Sequence, residues 1–406
     1  MEMKKYKLGE IVTVLAGGTP STKIDKYWSG SIPWLSVKDF CSVNKWVSST
    51  EKTITQEGFD NCPSSMLKKG DLILSARGTV GKIAMVDKNM AFNQSCFGLR
   101  AKKDFVTSDF LFYWFLNNQQ IFKGAQQGNV FKSITLDFFE KTNAIIPPLQ
   151  TQQKIAAVLS SLDDKIALNK KINAKLEAMA KRLYDYWFVQ FDYPDKNGKP
   201  YKTSGGKMVW NEVLKREIPE GWEVGALSDI ANITMGQSPE GSSYNENGRG
   251  TIFYQGSTDF GIKFPTVRMF TTEPARFAQK GDILMSVRAP VGAMNIANTD
   301  CCIGRGLSAM NSKIGSITYL YYIMDYFRHT FENKNGAGTT FGSITKDELF
   351  ELPVVIPDSN ILKQFEFVVK PIFDKQMNIG FEIQKLTNLR DRLLPLLMNG
   401  QVEVEG

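Results

Sequence analysis

One histidine in 406 residues, His329, sets the first limit on chemistry. A serine or cysteine nucleophile with an imidazole base would have to use it, and a metal site needing two imidazoles cannot be built. Its sequence context predicts an ordinary helix-face residue. Gly78-Thr-Val-Gly81-Lys82 is too short for a phosphate loop and lacks the hydroxyl residue after its lysine. No glycine-rich dinucleotide fingerprint follows a strand. Asp163-Asp164 predicts a solvated helix face, and Cys301-Cys302 predicts packing, because adjacent cysteines bridge only with strain. What remains is a set of donors and acceptors in turns: Gly18, Thr19 and Ser21 with Gln237 and Ser238, Ser36 and Lys38 with Gln255, Ser257 and Thr258, Arg77 and Thr79 with Arg288, Asn129 and Lys132 with Thr339 and Thr340. Arginine to guanine, asparagine or glutamine to adenine, and lysine to phosphate are the side chains that read DNA. Arg77 and Arg288 leave two roles open, DNA contact or a structural ion pair with Asp71 or Asp282. Asp39 and Asp259 are expected to fix turns.

These residues fall in pairs because the chain is written twice. Lys69-Gly-Asp-Leu-Ile-Leu-Ser-Ala-Arg77 recurs as Lys280-Gly-Asp-Ile-Leu-Met-Ser-Val-Arg288, 211 positions on. Leu8, Ile11, Gly17 and Pro20 match Leu227, Ile230, Gly236 and Pro239, and Gly128, Phe131, Ser133 match Gly338, Phe341, Ser343. A collinear match with slowly drifting offsets means one fold duplicated with loop insertions. In each copy a Gly-Asp turn leads into a short strand, Leu72 to Ser75 or Ile283 to Ser286. A helix starts behind Thr107-Ser108-Asp109 and near Thr318, with an aromatic core face (Phe112, Trp114, Phe115; Tyr322, Phe327).

A long amphipathic segment follows each copy. Ile155, Leu159, Leu162, Ile166, Asn169, Asn173, Leu176, Ala180, Leu183 and Trp187 are spaced four and three by turns, and Phe365, Val369, Ile372, Gln376, Ile379, Ile383, Leu386, Arg390, Leu393 and Leu397 repeat this. Such spacing over more than four heptads predicts a coiled coil, most simply an antiparallel pair, with polar seam positions that set register. From Ile155 to Trp187 the helix would span about 48 Å. Pro371 predicts a kink or a helix start nearby. The expected organisation is α+β: a mixed domain over 1–149, a central helix over 150–190, a turn-rich surface linker over 191–221, a second mixed domain over 222–360 and a C-terminal helix over 361–406.

Composition narrows the class. The net charge is +7 with 42% hydrophobic and 12% aromatic residues, a globular and mildly basic chain. Five cysteines without a CxxC spacing predict reduced thiols, and the absence of a long apolar run predicts a cytoplasmic protein with no membrane partner. Net charge is +6 over 1–149, +3 over 150–190, −2 over 191–360 and zero over 361–406. Nucleic-acid binding would therefore need local patches or basic partners, in the second copy most of all.

The layout resembles the DNA-specificity (S) subunit of type I restriction-modification systems over essentially the whole chain. The resemblance rests on the doubled Lys-Gly-Asp…Arg…Val-Gly block, Leu8-Gly-Glu-Ile…Gly17-Gly-Thr-Pro with Pro33-Trp34-Leu35, Ile145-Ile-Pro-Pro-Leu-Gln-Thr-Gln-Gln-Lys-Ile-Ala, Arg182-Leu-Tyr-Asp-Tyr-Trp-Phe and Pro219-Glu-Gly-Trp222. It implies that each globular copy is a target-recognition domain reading one half of a split site on double-stranded DNA. It implies that the paired helices set the spacer and dock two methylation subunits, with motor/restriction subunits joining the full complex. S-adenosylmethionine, ATP and Mg2+ are then expected on those partners, with no cofactor and no catalysis in this chain. The Asn/Asp-Pro-Pro-aromatic motif of adenine methyltransferases is absent, since Pro147-Pro148 lies between Ile146 and Leu149. A catalytic methyltransferase or nuclease with an unrecognised site, and a scaffold binding protein or glycan, are the competing readings.

Overall fold

The Lys-Gly-Asp turn at the head of each repeated block does what its glycine allows. In the computed structural model, which describes residues 2–41, 45–122, 134–336 and 342–404, Gly70 has φ +89° and Gly281 φ +96°, a left-handed conformation open to glycine at little cost. Asp71 and Asp282 close the turns by accepting the backbone N–H groups of Lys68 and Gln279, each at 2.8 Å. The strands that follow are Leu72–Ser75 and Ile283–Ser286, buried at every position.

Both strands hold the same place in their sheets. The first copy runs Val12–Ala16, Cys96–Ala101, Leu72–Ser75, Ile83–Val86, Trp46–Val47; the second runs Ala231–Met235, Leu307–Ser312, Ile283–Ser286, Met294–Ile296. Register repeats too: Leu72 faces Leu99 as Ile283 faces Met310, and Val12 faces Ala101 as Ala231 faces Ser312. A second sheet in each copy contains a parallel pair, Leu35 beside Phe92 and Tyr254 beside Ile303. Each copy is closed by a two-stranded pairing, Tyr6 opposite Ala144 and Gly225 opposite Val354. A slip of one residue would turn every buried side chain outward, so coincident registers establish one fold built twice. The predicted aromatic helix faces are core: Phe112, Phe115 and Tyr322 have no exposed surface.

The two long helices are Leu149–Tyr184 and Ser359–Met398. The chain divides into two compact units, Met1–Leu168 with Ile383–Gly406, and Asn169–Glu382, so each unit holds part of both helices. In the first unit Ile155 and Leu159 share a core with Leu397 and Met398, and Arg390 Nη1 donates to Asp163 Oδ1 at 2.8 Å. In the second, the Trp187 ring packs on Phe365 with centroids 5.6 Å apart. Each unit thus pairs one end of the first helix with the opposite end of the second, an antiparallel arrangement. Of the heptad positions, Ile155, Leu159, Ile166, Phe365, Val369, Ile379 and Ile383 are buried. Leu162, Leu176, Leu183, Ile372, Leu386 and Leu393 are half-buried. The seam polar groups Asn169, Asn173 and Gln376 are buried as well. The fold is α+β, two mixed domains with an antiparallel pair of long helices.

Three expectations need correction. Asp163 does not lie on a solvated face: it is 4% exposed and accepts both Arg390 and the Tyr113 hydroxyl, the latter at 2.6 Å. Only Asp164 fits the surface reading. The segment after the first helix is not a surface linker. Tyr193 stacks between Tyr201 and Trp222, with centroids 4.7 and 5.0 Å away, and Phe191, Tyr193, Ile218 and Trp222 are buried in the core of the second unit. Of the two readings of Pro371, a kink or a helix start, the helix start is overturned, because the second long helix begins at Ser359 and runs through it.

Each unit also buries a lysine against a long helix. Lys45, 5% exposed, donates to Asp109 at 2.7 Å and to Ser160 of the first long helix at 2.8 Å. Lys263, equally buried, donates to Glu177 at 2.8 Å and to the Tyr321 hydroxyl at 3.1 Å. Burial lowers the Lys263 pKa, and the Glu177 carboxylate opposes that shift. All five cysteines are free thiols, and Cys301 and Cys302 are wholly buried strand residues.

Candidate nucleic-acid interface

The duplicated turns converge in the first unit on a cleft of about 510 Å³ whose lining includes Ser36, Lys38, Arg77, Thr79, Asn93 and Ser95. Backbone hydrogen bonds assemble it. Ala76 and Arg77 N–H both donate to Ser95 O, at 2.8 and 3.2 Å, fixing the arginine turn against the 93–95 turn. Buried Ser75 holds the other side: its hydroxyl donates to Thr79 O and accepts Lys82 N–H at 2.8 Å. Asp39 fixes the third turn as expected, taking Ser36 N–H and Oγ–H on Oδ2 and Glu51 N–H on Oδ1, each at 2.7 Å.

Gly17 shows why glycine precedes this site: a Cβ there would lie 2.2 Å from Asn93 O. The next residue, Gly18, donates its N–H to Phe92 O at 2.9 Å and accepts Trp34 Nε1–H at 2.9 Å. Thr19 donates its hydroxyl to Gln94. Ser21 is exposed and its carbonyl accepts Trp28 Nε1–H at 3.2 Å.

The second copy repeats the assembly with different side chains. A Cβ on Gly236 would lie 2.2 Å from Gly304 O. Gln237 N–H donates to Ile303 O at 3.0 Å, and Ser238 Oγ accepts Arg305 N–H at 3.3 Å. Val287 N–H donates to Gly306 O at 2.9 Å, and the Ser286 hydroxyl reaches Arg288 O at 2.6 Å. Asp259 accepts Gln255 N–H at 2.8 Å, and its other oxygen pairs with Arg268. Gln255, Thr258, Arg288 and Arg305 are exposed and Ser257 is half-exposed.

The ion-pair alternative for the arginines is overturned. Asp71 is held by Arg100, whose Nη2 lies 2.6 Å from Oδ2, a hydrogen bond that raises the guanidinium pKa. Asp282 accepts Asn311 Nδ2–H at 3.2 Å in the same sheet position. Arg77 and Arg288 are exposed, and among the described residues no carboxylate pairs with either. Asn129, Lys132, Thr339 and Thr340 lie outside the described residues. The residues that motif reading missed are those of the opposing turn, Asn93, Gln94 and Ser95, with Arg305 in the second copy. Asn-Gln-Ser and Gly-Arg-Gly share no letter, so the repeat has no signal there. Among the described residues no group of three or more histidine, cysteine or acidic side chains could hold a metal ion, and no helix is long and apolar enough to cross a membrane.

Residues 1–178 and 219–377 match the family described as "Type I restriction modification DNA specificity domain". The chain belongs to that family. Two matched regions in one chain agree with the duplicated registers, and the protein is a specificity subunit with two recognition regions. It is 30% identical to the type I restriction enzyme MjaIX specificity subunit of Methanocaldococcus jannaschii, covering 100% of this chain and 94% of that one. It is 25% identical to the HindI specificity subunit of Haemophilus influenzae, covering 83% and 87%. The S subunit crystal structure from M. genitalium shares the fold with a TM-score of 0.59 at 16% identity, over 98% of this chain and 96% of that one. In this specificity subunit the two turn clusters share one backbone frame. Each offers an exposed arginine unspent on the protein itself, flanked by side chains that differ between copies.

Proposed function

We propose that each domain of this specificity subunit reads one half of a split, asymmetric DNA site through its turn cluster, and that the paired helices set the spacer between the halves. The observation that carries this reading is the same strand register and turn geometry built twice with divergent side chains: Ser36 against Gln255, Thr19 against Ser238, Asn93 against Gly304. A shared frame fixes how DNA is approached, while unlike side chains select unlike bases. The first long helix has 36 residues, about 54 Å at 1.5 Å per residue, which exceeds one DNA turn of about 34 Å.

The helices also dock two methylation subunits. Supporting this is an apolar stripe on the first long helix and the π-helical segment that continues it, where Ile172, Met179 and Tyr186, seven residues apart, are 37%, 53% and 37% exposed. The partners bring S-adenosylmethionine, ATP and Mg2+, motor/restriction subunits complete the assembly, and this chain carries out recognition without catalysis in the cytoplasm.

Methylated adenines mapped genome-wide, with and without the gene, test the reading. The expected result is one two-part motif with a fixed gap that disappears with the gene. A single uninterrupted motif, or a methylation pattern indifferent to the gene, would contradict it.

A further inference from the structure

The cleft of the first domain has an uneven hydrogen-bonding capacity, and Asn93 is where this becomes specific. Its main chain is held on both sides, with N–H donating to Leu35 O at 3.0 Å and the carbonyl packed against Gly17. Its side-chain Oδ1 accepts Ser95 N–H at 3.1 Å. An asparagine amide has one acceptor and two donors. With one lone pair of Oδ1 spent on the turn, both Nδ2 donors remain, and among the described residues nothing accepts from them.

The other polar groups lean the same way. Asp39 spends three of its acceptor sites on the protein, two on Ser36 and one on Glu51 N–H. Lys38, Lys52 and Arg77 line the same cleft and are exposed donors. Glu51 is the other carboxylate of the lining, and it is exposed. Donors outnumber acceptors.

We propose that Asn93 is a specificity-determining residue of the first domain, donating Nδ2–H to an acceptor on a base edge, guanine O6 or N7 or thymine O4, beside the contact made by Arg77. This rests on the DNA-reading function proposed above and names the chemistry at one position. The bidentate pairing of asparagine with adenine would require the Oδ1 that holds Ser95 N–H to accept the adenine amino group as well. Guanine O6 or N7 and thymine O4 ask only for the donors that remain free. The contact belongs to the first half-site alone, since Gly304 holds the equivalent place in the second copy and has no side chain to offer.

Asn93→Asp is the test, made in the full chain assembled with its methylation subunits. It keeps the oxygen that accepts Ser95 N–H and replaces the donor by an acceptor of the same size. The expected result is a loss of about 10- to 100-fold in methylation of the wild-type site, the range of one base contact. Competing DNAs varied at each position should show the loss confined to one base pair of the first half-site, where cytosine or adenine, which present an amino donor, gain. Asn93→Ser keeps a hydroxyl to accept Ser95 N–H and removes the amide; it should relax discrimination at that same base pair. Wild-type rates and motif in Asn93→Asp would overturn the proposal. So would equal losses at every position of both half-sites in the two variants, which would mark Asn93 as structural. If the wild-type complex itself shows no two-part motif, the DNA-reading function fails instead, and the two failures are distinguishable.

Discussion

Arg77→Ala lowers the affinity of the assembled complex for its DNA site by about 10- to 100-fold, while leaving the thermal midpoint of the free chain unchanged. The first half of this expectation comes from the worth of one well-placed arginine contact, about 1–3 kcal/mol. The second comes from the structure: Arg77 is exposed and pairs with no carboxylate among the described residues, because Asp71 is engaged by Arg100. Arg77→Lys separates two kinds of contact. Lysine keeps the charge and loses the planar fork, so a phosphate contact survives largely intact and a bidentate base contact does not. Arg288→Ala should act alike on the second half-site. A fall of several degrees in the midpoint with unaltered DNA binding would show the arginine to be a structural residue.

Asp163→Ala destabilises the first unit by about 3 kcal/mol. Asp163 is buried and accepts two donors from opposite sides, the Tyr113 hydroxyl at 2.6 Å and Arg390 Nη1 at 2.8 Å. Removing one member of a buried, hydrogen-bonded pair leaves the others unpaired, which costs several kcal/mol. The loss is moderated because Arg390 also binds Asp391 at 2.7 Å. Burial first, and then the Asp163 carboxylate, push the Tyr113 phenol well above its ordinary pKa, so it remains a donor across the working range. Replacing all three by apolar groups, Asp163→Leu with Tyr113→Phe and Arg390→Met, should recover most of the stability, since an apolar set of similar volume carries no unpaired charge. Urea unfolding of the single, double and triple variants checks this. A triple variant no more stable than Asp163→Ala would refute the explanation.

The parts of the fold legible in the sequence are those where a local rule acts. The Gly-Asp turns and the strands Leu72–Ser75 and Ile283–Ser286 follow from glycine and from apolar runs repeated 211 positions apart. The heptads locate both long helices because 3.5-residue spacing is a property of one helix by itself. What escaped depends on tertiary partners. Asp163 meets an arginine 227 residues away, so its solvated-face reading applied a correct local rule where a distant residue decides. Arg77 is the arginine nearest to Asp71 in sequence, yet the sheet register puts Arg100 beside it. In the segment after the first helix the turn signals were real, as Gly198 and Gly205 at φ +74° and +88° show, but the stacking of Tyr193, Tyr201 and Trp222 draws it into a core. The candidate site was half visible. Turns that share letters between copies could be found; the turn at Asn93 and Arg305, where the copies share no letter, could not.

Exchange of residues 1–149 for the corresponding domain of another specificity subunit, read out as the methylated motif of the resulting complex, tests the account most directly. Two independent copies of one fold predict a motif with a new first half, the original second half and a gap of unchanged length. A motif altered in both halves at once would contradict it, because the two domains would then be reading DNA as a single surface.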